Sequence, residues 1–393
     1  MASEGNHRVS AARREEERVT PLELFFDLVF VLAFTQCTAL MAADPDWAGV
    51  VRGLFVLTVL WWTWAGYAWL TSVVDPEEGA VRIAIFAAMA AMLVAALAVP
   101  GSFDDDALAF ACAYAIVRIA HIGLFLIASR EERLLRRSVT GLALSTAIGI
   151  GLLTAASAAD GVLQAGLWAL AIALDMGLPF LFWAEGWQLF PAHFAERHGL
   201  ILIIALGESI VAIGIGSEAV VDLSVIVAAT LGVAIAAGLW WIYFDVTVWV
   251  AERRLSRMPA GREQNEVARD AYSYLHLAMV AGIVLLALGM KKTLEEPAHA
   301  LKAVPAVALV GGVATYLLAI VAFRWRLLHT LGRVRPITAI VLLALVPLAL
   351  ELPAYATVAL VVVVLWALIV FEVFRYAEFR ESVRHELARE GAD

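Results

Sequence analysis

Residues 20–36 read TPLELFFDLVFVLAFTQ. The stretch opens like a hydrophobic span, yet it carries Glu23 and Asp27 one helical turn apart. Thr20, Pro21, Leu22 and Glu23 fit the N-cap, N1, N2 and N3 positions of a helix. Threonine serves the orphan amides, proline sits where its missing N–H costs nothing, and glutamate reaches back to the cap. Glu23 is therefore expected to cap, with Thr20. Asp27 lies about 10 Å past the helix start, beyond any capping role. A charge at the centre of a membrane helix costs about 2.5–3.5 kcal/mol on insertion scales. Such a residue faces a partner or a polar cavity, so Asp27 belongs either to an ion path or to a structural ion pair.

The rest of the chain explains why lipid is the right solvent to consider. Its 393 residues are 62% hydrophobic and 17% charged, too apolar for a soluble domain. Apolar runs of about 18 residues recur from end to end, the mark of a polytopic membrane protein. The lipid bilayer is the first partner this implies; nothing points to nucleic acid. Cys37 and Cys112 both fall inside apolar runs, which is neither a disulfide framework nor a zinc motif, and they read as small core residues. The first apolar run follows a polar, Arg- and Glu-rich segment and contains two acids, which does not suit a signal peptide.

A hydrocarbon core about 30 Å thick needs about 20 helical residues. That ruler predicts twelve spans: 20–42, 49–72, 80–99, 107–128, 138–157, 162–183, 199–216, 223–250, 270–290, 303–323, 335–351 and 354–374. Strand barrels would show short alternating segments instead, so the fold class is all-α. With the N-terminus in the cytoplasm, 23 of the 28 Lys and Arg residues fall on the inner side. Four (Arg52, Lys291, Lys292, Lys302) fall outside, and Arg118 lies within a span. This positive-inside split places both termini in the cytoplasm.

Residues 60–67, LWWTWAGY, resemble residues 239–246, LWWIYFDV. One helix earlier, FFDLVFV (25–31) faces LGESIVA (206–212). Six spans per half is an even number, so the halves would share one orientation, as a parallel 6+6 duplication. The expected organisation is a polar N-terminus (1–19), a first six-helix repeat (20–183), a linker with an interfacial helix (184–198), a second repeat (199–374) and a cytoplasmic tail (375–393). In that scheme Asp27 and Glu208 are repeat-related partners.

Several other polar residues fall inside the predicted spans. Glu208 is about mid-span among small neighbours. Tyr114, Arg118 and His121 follow i, i+4, i+7 and form one stripe. Arg118 needs an acid, and Glu208, Asp175 and Asp27 are the candidates. Arginine keeps its proton, so it is a counter-charge or anion ligand rather than a proton carrier. Asp175 precedes Pro179 by four residues, where proline opens the backbone ladder. His276 shares a face with Tyr272, either as a hydrogen-bonded core histidine or as a proton relay. Together these residues make one polar layer. His193, Glu196 and His198 do not have a recognised metal spacing, and no metal or cofactor is expected. The tryptophans read as interfacial anchors.

The phrases LELFFDLVFVLAFTQ, ERHGLILIIALGESIVAIG and AYSYLHLAMVAGIVLLALG resemble the bacterial low temperature requirement A family over nearly the whole chain. The resemblance implies a multi-pass protein of the bacterial cell membrane, and no particular chemistry. FFDLVFVLAFT is also similar to the Phe-Ser-Asp opening of endosomal/lysosomal potassium channels built from two six-helix repeats. Asp27 matches that opening, the residue before it departs, and Gly207-Glu208-Ser209 stands in place of the motif in the second half; this is a likeness of fold.

The leading functional expectation is a transporter or channel for a small ion or solute, working through the polar layer. The alternatives are a non-transporting sensor or scaffold and a membrane enzyme acting on lipid-borne substrates. No GxSxG, HExxH, phosphate loop or paired-Asp motif supports an enzyme. The oligomeric state, including a homo-oligomer, is left open.

Overall fold

The computed structural model describes residues 18–182, 186–216 and 222–378. The expected cytoplasmic arm 1–17 and tail 379–393 lie outside those residues. The described residues are mostly helical: α1 (Pro21–Ala43), α2 (Trp47–Thr71), α3 (Gly79–Leu97), α4 (Ala107–Ala128), α5 (Arg133–Ala156), α6 (Gly161–Phe182), α7 (Pro191–Gly216) and α8 (Leu223–Phe244). Then come α9 (Thr247–Ser256), α10 (Arg262–Ala268), a π-helical turn (Arg269–Tyr274), α11 (Leu275–Glu295), α12 (Ala303–Leu328), α13 (Val334–Ala344), α14 (Val346–Ala349) and α15 (Ala354–Arg375). Among the described residues no strand forms, only an isolated bridge between Ala300 and Pro353.

All twelve predicted stretches are helical, and ten helical stretches among the described residues are long and apolar enough to cross a membrane. The two predicted spans outside those ten are 199–216, within α7, and 335–351. Residues 335–351 form a shorter apolar segment, Val334–Ala349, broken at Leu345 just ahead of Pro347, because a proline cannot continue the hydrogen-bond ladder. Residues 191–198 form the charged opening turns of α7, a continuous 26-residue helix. Many apolar side chains face outward; Val162 is 91% and Phe374 80% exposed. Water would penalise such a surface, and lipid accepts it.

The chain divides into two compact units. One comprises Met1–Gln36, Phe55–Arg197 and Pro259–Glu266; the other comprises Cys37–Leu54, His198–Met258 and Val267–Asp393. The first has an aromatic interior in which Trp61, Trp64, Trp69 and Tyr67 are fully buried. The expectation of tryptophans as interfacial anchors is corrected here: Trp47, Trp240, Trp249 and Trp325 are exposed, but the LWWTW run is core. Cys37 is buried, while Cys112 lies on an outer face of α4, so it is not the core residue expected.

In the second unit α11 packs on α12 through glycine. A Cβ on Gly282 would meet the Gly312 carbonyl oxygen at 2.7 Å, and one on Gly312 would meet the Gly282 carbonyl oxygen at 2.6 Å. Only hydrogen at both positions lets the two backbones touch. On α8, Trp366 of α15 donates its Nε1–H to the Ala234 carbonyl at 3.0 Å.

Candidate functional site

The cap predicted at the opening of α1 forms. The Glu23 amide donates to Thr20 Oγ1 at 3.3 Å, and Glu23 Oε2 accepts from the Thr20 amide at 2.9 Å. That uses one carboxylate oxygen. The other, Oε1, faces His193 Nε2 at 2.9 Å and accepts from Arg197 Nη1 at 3.4 Å. Glu23 is therefore both the cap expected and an ion-pair partner, a second role the sequence did not suggest.

One turn deeper, Asp27 is fully buried. Its Oδ1 accepts from Arg197 Nη2 and from Trp64 Nε1, the latter at 2.8 Å. Arg197 also donates to Thr71 Oγ1 at 2.9 Å and lies over the Trp64 ring at 5.6 Å. His193 Nδ1 faces Ser72 Oγ at 3.5 Å. One guanidinium thus spans two carboxylates, held by α1, α2 and the start of α7. Asp27 Oδ2 is buried with no hydrogen-bond partner. A carboxylate oxygen left so is costly in a low-dielectric interior.

A second network links α4, α5 and α6 in the same unit. Of the three acids weighed for Arg118, Asp175 is its partner: Arg118 Nη2 donates to Oδ1 at 3.1 Å and Oδ2 at 3.2 Å. Tyr114 donates to Asp175 Oδ2 at 2.7 Å, and Ser145 and Thr146 donate to Oδ1 at 3.3 and 3.4 Å. Both oxygens of Asp175 are fully served. His121, expected on the same stripe, does not join this network. It sits beside Tyr67, ring centroids 5.3 Å apart, and next to the Gly66 backbone. A Cβ on Gly66 would meet His121 Cε1 at 2.8 Å and Arg118 Nη1 at 3.2 Å, so only glycine lets α2 lie this close to α4. Two cavities that touch this network are about 10 Å³ each, room for a single water at most.

In the second unit His276 Nε2 meets the Tyr243 hydroxyl at 2.8 Å, and Nδ1 meets the Ala271 carbonyl at 3.1 Å. Tyr272 stacks on His276 with centroids 5.1 Å apart, and His198 abuts both rings. The π turn just before His276 presents the Ala271 carbonyl to the ring five residues later. Such turns are frequent at functional sites. Glu208 is buried in the α7 segment of this unit. Among the described residues no group of three or more His, Cys, Asp or Glu could hold a metal ion.

Sequence reasoning passed over Arg197, His193, Trp64 and Tyr243 as site residues. His193 and Arg197 are four apart on one face of α7, and that spacing was the available signal. Trp64 and Tyr243 occupy equivalent places in LWWTWAGY and LWWIYFDV, and each turns its polar atom onto a buried ionisable group.

A family model described as bacterial low temperature requirement A protein matches residues 18–370. A curated relative, an uncharacterized protein of Rhizobium meliloti (strain 1021), is 26% identical over 315 residues, covering 76% of this chain and 75% of the relative. No solved structure matches.

Proposed function

The chain belongs to the bacterial low temperature requirement A family, and from that premise we propose that it moves a small ion or solute across the membrane through its buried charged layer. The observation that carries this reading is Asp27. A static brace between helices satisfies both oxygens of its acid, as the Arg118–Asp175 network does. Asp27 instead keeps Oδ2 unpartnered while Oδ1 shares a guanidinium with Glu23. A carboxylate held by half is suited to exchange one partner for another, a cation or a proton, as buried acids in ion pathways do. The small size of two cavities beside the Arg118 network supports a gated path over a standing pore.

The finer organisation is part of the same proposal. Twelve crossings in two parallel halves, with both termini in the cytoplasm, fit the twelve helical stretches, the charge bias and the matched LWW runs. On this reading Asp27 and Glu208 are equivalent residues of the two halves, and no catalytic step is assigned to the protein.

The test is flux through purified protein in liposomes, with K⁺, Na⁺ and H⁺ gradients set in turn. A signal for one ion is expected, falling by about tenfold or more in Asp27→Asn, an isosteric change that leaves Arg197 its Glu23 partner. Unchanged flux in that variant removes Asp27 from the path. Silence across all three gradients from folded protein overturns ion conduction.

A further inference from the structure

A cavity lies in the second unit, lined by residues of that unit alone. It measures about 420 Å³ and sits among the ends of α8, α12 and α15 and the starts of α9 and α13. Trp241, Ile242, Val250, Phe323 and Leu327 give it apolar walls. Arg324, Arg335, Glu372 and Asp245 are its charged residues. Arg335 and Glu372 satisfy each other with two hydrogen bonds, Nε to Oε1 at 2.8 Å and Nη2 to Oε2 at 2.9 Å. Arg324 makes no ion pair or hydrogen bond among the described residues, although it lines the same space.

We propose that this cavity binds a single-chain anionic amphiphile drawn from the bilayer, its carboxylate or phosphate head on Arg324 and its hydrocarbon chain along the apolar wall. Three observations argue for that occupant. The volume is that of a small-ligand pocket and too small for a whole two-chain lipid. The wall is hydrocarbon-like, so an apolar tail gains what water would lose. The guanidinium without an ion pair presents a planar fork that matches a carboxylate or phosphate. Asp245 opposes an anion, so occupancy depends on the balance of Arg324 against Asp245. Arg324 and Arg335 of the cavity belong to an arginine-rich stretch that also holds Arg326 and Arg333, and clustered basic residues at a membrane edge attract acidic lipids.

The experiment is native mass spectrometry of the full-length, detergent-purified protein with palmitate, hexadecanol or hexadecyltrimethylammonium as the probe. Palmitate is expected to give a one-to-one adduct that hexadecanol does not match. Arg324→Gln lowers palmitate occupancy by about tenfold, the worth of a charge-assisted hydrogen bond, and Asp245→Asn raises it. Val250→Trp fills the cavity and removes the adduct while the melting temperature of the protein is kept. Equal binding of palmitate and hexadecanol overturns the proposal, as does wild-type palmitate occupancy in Arg324→Gln. Preference for the cationic probe overturns it in favour of an Asp245 site.

Discussion

At the scale of single residues, the arrangement turns on one cation serving two acids. Removing one member of a buried ion pair costs about 3–5 kcal/mol because it strands the other charge. Arg197→Ala strands both Glu23 and Asp27, so it is expected to destabilise the protein at the top of that range. The double change Asp27→Asn with Arg197→Gln removes the cation and one of the two charges, and is expected to cost less than Arg197→Ala alone. Unfolding in a denaturing detergent titration, read by tryptophan fluorescence, checks the order of the two. Asp27 and Arg118 were legible in the sequence as costly residues, since a charge in an apolar run is visible by inspection. Their partners were less so. Arg197 sits in the polar opening of α7, and counting charges by side placed it with the loop cations. Depth in a membrane cannot be read where a helix begins outside the apolar stretch and continues into it.

At the scale of elements, two helices make testable claims. Asp222 caps α8, accepting from the Val225 amide at 2.9 Å and from the Ser224 hydroxyl at 2.7 Å. The Val225 amide first, and then the Ser224 hydroxyl, hold its carboxyl below the usual carboxylate range. A depressed folded pKa means that the contribution is present above the ordinary value and is lost as pH falls through the lowered one. Asp222→Ala is therefore expected to speed hydrogen exchange in the first turn of α8 at neutral pH. The difference from wild type should shrink on acidification, and Asp222→Asn, an equal cap, should change little. On α11, Gly282→Leu forces a side chain into the Gly312 backbone, and overpacking of this kind costs about 1–3 kcal/mol. A lower melting midpoint for that variant, against an unchanged one for Gly79→Leu where a Cβ meets open space, checks the contact. Helix positions were legible because lipid demands long apolar runs. The π turn at 269–274 and the break at Leu345 were not. A π turn has the composition of an α-helix, and Pro347 alone does not say whether a helix bends or stops.

At the scale of the whole molecule, the charge bias predicts sidedness. After replacement of Cys37 and Cys112, a cysteine at Asp105 is expected to react with an impermeant maleimide on intact cells. One at Arg257 should react only after permeabilisation. The reverse pattern inverts the proposed topology, and labelling of both from one side changes the number of crossings. The expectation comes from arginine counting, because loop composition is where sidedness is written. The compact units were not legible in the same way. The packing changes units partway along α1, α2, α7 and α10, and no composition shift marks those points.

The glycine contact between α11 and α12 has a thermal consequence. Burial from water weakens on cooling, which is why many soluble proteins loosen in the cold. Helices within lipid gain little from that force; backbones at van der Waals distance are held by close packing instead. The junction at Gly282 and Gly312 therefore keeps its grip as temperature falls, and chilling alone gives this pair of helices no reason to separate.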